Sequence, residues 1–244
     1  MLQRVRSIGE FLQQFELSPE RPLVILSGND LEHLQLSCAI PYCPVSPAYS
    51  ITSTDFQKLK HVISTLEPGL IFASDGELYA QAIEAVVPID TPVILTSGQL
   101  LDRQHVLFKQ MLDQKNTLLA EKAFEAVQPS TIAKFLFTSG STKPPKAVIT
   151  TQRMLCANQQ MLRQTFPEFS LQPTVLVDWL PWNHTFGGSH NVGIVLYNGG
   201  TLYIDDGKPT PQHFAETLRN LVEVSPTAYL TVPIGVGSSG EGRG

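Results

Sequence analysis

The sequence predicts an α/β fold of mostly parallel sheets covered by helices, on three observations. Compact apolar runs such as "PLVILSG", "LIFAS" and "PVILTSG" recur along the chain, and helical patterns separate them. Continuous apolar runs belong to strands buried on both faces, and intervening helices supply the crossovers that parallel pairing needs. Across 244 residues, 42% are apolar and 16% charged, enough for a large buried core and far from a disordered composition.

The elements follow in order. "MLQRVRSIGEFLQQF" carries Val5, Ile8, Leu12 and Phe15 at helical spacing with Arg, Glu and Gln between them, an amphipathic helix rather than a signal peptide. The run Pro22 to Gly28 reads as a strand, and Asn29 or Asp30 can cap the helix begun by "NDLEHLQLS". Leu70 to Ser74 leads into "DGELYAQAIEAVV", and Pro92 to Gly98 ends in a Ser-Gly turn. Lys134 to Gly140, Thr174 to Pro181, "TLYID" and "AYLTVP" read as further strands. Residues 210–224 form a helix with Phe214, Leu218, Leu221 and Val222 on one face. The ending "GVGSSGEGRG" is too glycine-rich to hold an ordered element, so 1–234 is the folded part and 235–244 a disordered tail. An interrupted fold and a plain flexible tail account for that ending equally well.

A net charge of −5 without a basic cluster speaks against nucleic acid. No run reaches the roughly 18–20 apolar residues of a membrane span. Cys38, Cys43 and Cys156 fit no zinc spacing, and three unframed cysteines suit a reducing cytoplasm. A hydrolase reading finds no G-x-S-x-G elbow.

The most informative stretch is "FTSGSTKPPKAVITTQRML", Phe137 to Leu155. Thr138, Ser139, Ser141 and Thr142 offer hydroxyls, Gly140 allows close backbone approach, and successive amides in such a turn form a nest for an anion. Lys146 adds a mobile positive charge suited to phosphate. The loop lacks the second glycine of a Walker A motif.

In its order the string resembles the signature loop of the AMP-forming acyl/aryl-CoA synthetases, the adenylate-forming ligases. Phe137 to Thr142 match in sequence, as do Pro145, Lys146, Ala147 and Val148; Lys143 stands where the family has glycine. A second match is "DWLPWNHTFGGSHNVGIVLYNGG", in which Pro181 to Gly187 occupy the family's Pro-x-aromatic-His segment, Asn183 replacing an aromatic. "LFTSGST", "LPWNHTFGG", "LYIDDGKPTP" and "PVSPAYS" resemble the feruloyl-CoA synthetase branch.

The resemblance implies part of a large N-terminal AMP-binding domain. In it, Thr138, Ser139, Gly140, Ser141, Thr142 and Lys146 hold the β- and γ-phosphates of ATP. Trp182, His184, Phe186 and Gly187 border the acyl and adenylate pocket. It also implies magnesium and coenzyme A as cofactors, a hydroxycinnamate as substrate, and no dedicated protein metal site. The family's downstream adenine-contacting segment, ribose aspartate and C-terminal lysine find no counterpart before Gly244, so this chain alone is expected to be inactive. The alternative is a non-catalytic remnant or residual nucleotide-binding module.

Overall fold

The computed structural model describes residues 1–39, 48–50, 56–137, 145–208 and 210–232. The strands are β1 Leu23–Leu26, β2 Ala48–Ser50, β3 Leu70–Asp75, β4 Val93–Ser97, β5 Val106–Leu107, β6 Ile132–Phe137, β7 Ala147–Thr151, β8 Val175–Asp178 and β9 Thr201–Ile204. The first seven form one sheet in the order β5-β4-β3-β1-β2-β6-β7. Every neighbouring pair in it is parallel except β6–β7, a hairpin in which Phe137 faces Ala147. The last two strands pair in parallel as a separate small sheet. The expected architecture is present.

Apolar runs became central strands because helices cover both faces of them. Helices α1 (Leu2–Leu12) and α2 (Leu31–Ala39) pack on one face. There Val5, Ile8, Leu12 and Leu36 meet Leu23, Ile25, Leu70 and Phe72. Helices α3 (Phe56–Leu66) and α4 (Gly76–Val86) cover the other face, where Leu59, Ile63 and Ile83 meet Val24, Leu26, Ile71 and Phe135. Each such burial contributes about 1.5–3 kcal/mol. Asp75 starts α4 by accepting hydrogen bonds from the amides of Glu77 and Leu78. The short helix α5 (Leu118–Glu125) is tied to α1 by the Ala120 amide donating to Glu10. Among the described residues no helix is long and apolar enough to cross a membrane.

After β7 come α6 (Gln152–Thr165), α7 (Glu168–Leu171), β8, a π-helical turn at Phe186–Asn191, α8 (Val192–Asn198), β9 and α9 (Phe214–Val224). Three details differ from the sequence reading or sharpen it. Asp30, not Asn29, caps α2, its carboxylate accepting from the His33 amide at 2.6 Å. Among the described residues of "AYLTVP", 228–232, there is one bridge to β8, at Ala228, in place of a full strand. On α9 the predicted face leaves Phe214, Leu218 and Val222 53%, 50% and 71% exposed. The glycine-rich ending lies outside the described residues.

Candidate active site

Strands β1, β2 and β6 are adjacent and parallel, so their carboxyl ends open on the same edge of the sheet. In α/β sheets ligands bind at such edges. Of the predicted phosphate-binding residues, Thr138, Ser139, Gly140, Ser141 and Thr142, with Lys143, lie outside the described residues. The two flanks of that loop are described. The Phe137 ring is buried and meets His61 of α3 edge-on at 6.1 Å. On the other flank, His61 Nε2 lies 2.7 Å from the Pro145 carbonyl oxygen. A carbonyl only accepts, so that nitrogen carries the proton. One imidazole thus holds both sides of the loop's base. Lys146 is exposed just beyond it.

The second predicted segment is joined to the same sheet edge by a residue whose role the sequence reading missed. Asn29, following β1, donates from its side chain to the Leu180 carbonyl at 2.8 Å and accepts from the Trp182 amide at 3.0 Å. A side-chain amide makes this backbone-like pair with both its donor and its acceptor, which a carboxylate cannot. Beneath it, Asp178 ends β8 as a buried carboxylate receiving Asn191 Nδ2 at 2.9 Å, the Leu180 amide at 3.2 Å and Trp182 Nε1 at 3.4 Å. Burial raises the Asp178 pKa against those three donors, with Asp205 adding to the rise. Asn191 also donates to the Leu230 carbonyl, so one network joins β8, the π turn and the segment after α9.

The four predicted pocket residues divide in two. Trp182 is 4% exposed and packs with Leu34 and Val192, supporting the segment from inside the core. Gly187 and Gly188 make close backbone approach possible. A Cβ on Gly187 would press on the Leu180 carbonyl, and one on Gly188 would run into the Trp182 carbonyl oxygen. His184 is exposed, its carbonyl capping the turn by accepting from the Gly188 amide at 2.9 Å. Phe186 is partly exposed and stacks edge-on with His190 at 4.9 Å. His184 therefore keeps an exposed side chain in this segment, with Phe186 and His190 partly exposed beside it.

Two basic side chains, one buried and one half-buried, lie behind this surface. His33 of α2, 4% exposed, contacts Trp182 edge-on and holds the Gly28 carbonyl at 2.9 Å through Nδ1. Burial, aided by nearby Lys134, pushes its pKa down to about 4, so the ring is neutral at pH 7. Lys134 of β6 donates to the Gly188 carbonyl at 2.9 Å. Burial lowers its pKa to about 8, offset in part by Cys38. Neither stood out in the sequence: a single Lys in a strand and a single His in a helix carry no local signal. Among the described residues no group of His, Cys, Asp and Glu is arranged to hold a metal ion.

A family model described as AMP-binding enzyme matches residues 1–236. A medium-chain-fatty-acid–[acyl-carrier-protein] ligase of Teredinibacter turnerae is 36% identical over 78 residues, which are 32% of this chain and 12% of that protein. The luciferase-like enzyme of the nonluminescent mealworm Zophobas morio superposes with a TM-score of 0.71 at 18% identity, over 95% of this chain and 52% of that one. A fatty acyl-adenylate ligase from L. pneumophila, solved with acyl adenylate and pyrophosphate, gives a TM-score of 0.67 at 17% identity, over 93% of this chain and 37% of that one. The likeness to the two structures is one of fold, and this chain spans about half or less of each relative.

Proposed function

Because the chain belongs to the AMP-binding enzyme family, we propose that it is part of an ATP-dependent, acid-activating ligase. The observation that carries this reading is the ordered string Phe137 to Val148, which runs between two paired strands whose base is held by His61. In this reading Thr138, Ser139, Gly140, Ser141, Thr142 and Lys146 cradle the β- and γ-phosphates, and magnesium travels on those phosphates. The acid lies against His184 and Phe186, with Trp182 and Gly187 shaping the wall behind. Its carboxylate oxygen attacks the α-phosphorus, the bond to the β-phosphate oxygen breaks, and pyrophosphate leaves. The thiol of coenzyme A then attacks the acyl carbon and expels AMP. The chain's contribution is positioning and charge stabilisation, which dominate such transfers.

The finer assignment is a hydroxycinnamate such as ferulate, and its support is the wording of "LFTSGST", "LPWNHTFGG" and "LYIDDGKPTP". The Teredinibacter fatty-acid ligase and the L. pneumophila fatty acyl-adenylate ligase make fatty acids the natural competitors. A second reading, a nucleotide-binding module without turnover, draws on Lys143 in the loop and the exposed apolar face of α9.

The test is pyrophosphate release and hydroxamate trapping of acyl-adenylate by the purified chain with magnesium-ATP and ferulate, 4-coumarate or octanoate, alongside ATP binding by calorimetry. Release with ferulate but not octanoate supports the hydroxycinnamate ligase. Release with octanoate alone moves the substrate to fatty acids. ATP binding that tightens when ferulate or octanoate is added favours the ligase, and ATP binding indifferent to every acid favours the module. Neither binding nor release defeats both readings for this chain.

A further inference from the structure

A cavity of about 340 Å³ lies between α2, β6, α6 and residues 188–197, at the lower end of the roughly 300–1,000 Å³ of small-molecule sites. Its walls are mostly apolar, Leu34, Leu155, Val192 and Leu196 among them. Among the polar residues in that lining are Lys134, Gln159 and Ser189.

Lys134 is enclosed by protein yet keeps part of its surface, and it lines the cavity. Its ammonium has three donors, of which one reaches the Gly188 carbonyl; no carboxylate among the described residues pairs with it. Ser189, 8% exposed, has a hydroxyl with no partner among the described residues. Gln159, 4% exposed, donates from Nε2 to the carbonyls of Ser189 and His190 at 3.1 and 3.2 Å, and its Oε1 has no partner among the described residues. The two carbonyl acceptors fix which end of that amide is which. Buried polar groups are normally satisfied, and here a cation, a hydroxyl and an acceptor left wanting belong to three residues of the same cavity lining.

We propose that this cavity binds a small amphiphilic monocarboxylate, with its carboxylate on Lys134 and Ser189, its apolar body along Leu34, Leu155 and Val192, and a hydroxyl or amide of its own donating to Gln159 Oε1. A neutral ligand would leave the cation unpaired. A phosphate dianion would bring an excess negative charge into an apolar wall with no second cation to meet it. The site is additional to the acid position at His184 and Phe186, and its existence does not depend on the ligase reading. It is coupled to that position by the backbone. Lys134 and Gln159 hold the carbonyls of Gly188, Ser189 and His190, so an occupant that draws Lys134 away acts on the turn that carries Phe186 and His190.

The titratable groups facing Lys134 are His33 and Cys38 from α2, with Cys156 from α6 and Tyr197 from α8 further along the lining. His33 is neutral, and burial pushes the Cys38 thiol up to about 11. The ammonium is thus the charge available near neutral pH, and carboxylate binding weakens as pH rises past about 8.

The experiment is calorimetric titration of the whole chain, without nucleotide, using 4-hydroxyphenylacetate and its uncharged counterpart 4-hydroxyphenylethanol. The expected result is that the acid binds at least about tenfold more tightly than the alcohol. Lys134→Met, with its fold checked by circular dichroism, removes that preference, and Ser189→Ala weakens acid binding severalfold. If Lys134→Met does not fold, Ser189→Ala and the loss of acid affinity between pH 7 and 9.5 carry the test. Equal binding of acid and alcohol, unchanged acid binding by folded Lys134→Met, or loss of binding in His184→Ala with Lys134→Met unaffected overturns the proposal.

Discussion

The two sheets of this chain bury their apolar surface to different degrees. In the seven-stranded sheet, β1 and β3 lie between α1 and α2 on one face and α3 and α4 on the other, and Leu23, Ile25, Phe72 and Ile71 have no exposed surface. The β8–β9 pair has α8 against it, with Leu176, Ile194 and Val195 as its small core. Tyr203, Leu196, Phe214, Leu218 and Val222 stay exposed there. A parallel sheet is stable where both faces are covered. Cooperative stability therefore resides chiefly in the first region, and the second combines two small apolar clusters, around Trp182 and around Ile194, with the polar ties of Asn29 to 180–182 and Asp178 to Asn191.

The largest effect that breaks this comparison is Phe72→Ala. Deleting a fully buried ring from the sheet's centre costs about 3–5 kcal/mol, and urea denaturation followed by circular dichroism is expected to show loss of the whole cooperative transition.

Next comes the pH response of His33, at the junction of the two regions. Its folded pKa, about 4, lies below its ordinary 6.5. The unfolded chain therefore takes up the proton first as pH falls. Stability is fully present above pH 6.5 and declines down to pH 4, by up to about 3 kcal/mol. The raised Asp30 and Asp178 work in the opposite sense, because the folded state protonates them first. His33→Asn, whose amide can still donate to Gly28, is expected to flatten the slope between pH 6.5 and 4 in thermal denaturation. An unchanged slope removes His33 from this role.

A smaller, more local effect is expected from Asn29→Ala. Losing its two hydrogen bonds costs about 1–3 kcal/mol, and amide exchange should quicken at Leu180, Trp182 and Gly188 while β3 and β4 stay protected. The smallest belongs to Leu218→Ser. At 50% exposure it should shift stability by no more than about 0.5 kcal/mol and lower binding of a hydrophobic dye. A cost comparable to Phe72→Ala would mean that α9's face is already covered in solution.

Much of this was legible residue by residue. The runs Pro22 to Gly28, Leu70 to Ser74, Pro92 to Gly98 and the described part of Lys134 to Gly140 coincide with β1, β3, β4 and β6, and α1 buries Val5, Ile8 and Leu12. "AYLTVP" was misread because its β-rich composition satisfied the local pattern, yet among its described residues only Ala228 found a neighbouring strand. Asn29 looked like a helix cap because Asn and Asp share that propensity. Which of two adjacent residues caps, and which reaches 151 positions away, depends on what lies opposite.

By itself the sequence determined the α/β alternation, the hydroxyl-rich string after β6 and the position of His184 and Phe186 in a segment of matching pattern. These are local, carried by side-chain periodicity and residue order along the chain. Only the tertiary structure decided that Trp182 faces the core while His184 faces outward, that His61 holds the base of the loop, and that Lys134, Gln159 and Ser189 line one cavity. The physical reason is that periodicity tells a residue which way to point, whereas its partner, its desolvation and hence its chemistry are set by elements that meet it from far along the chain.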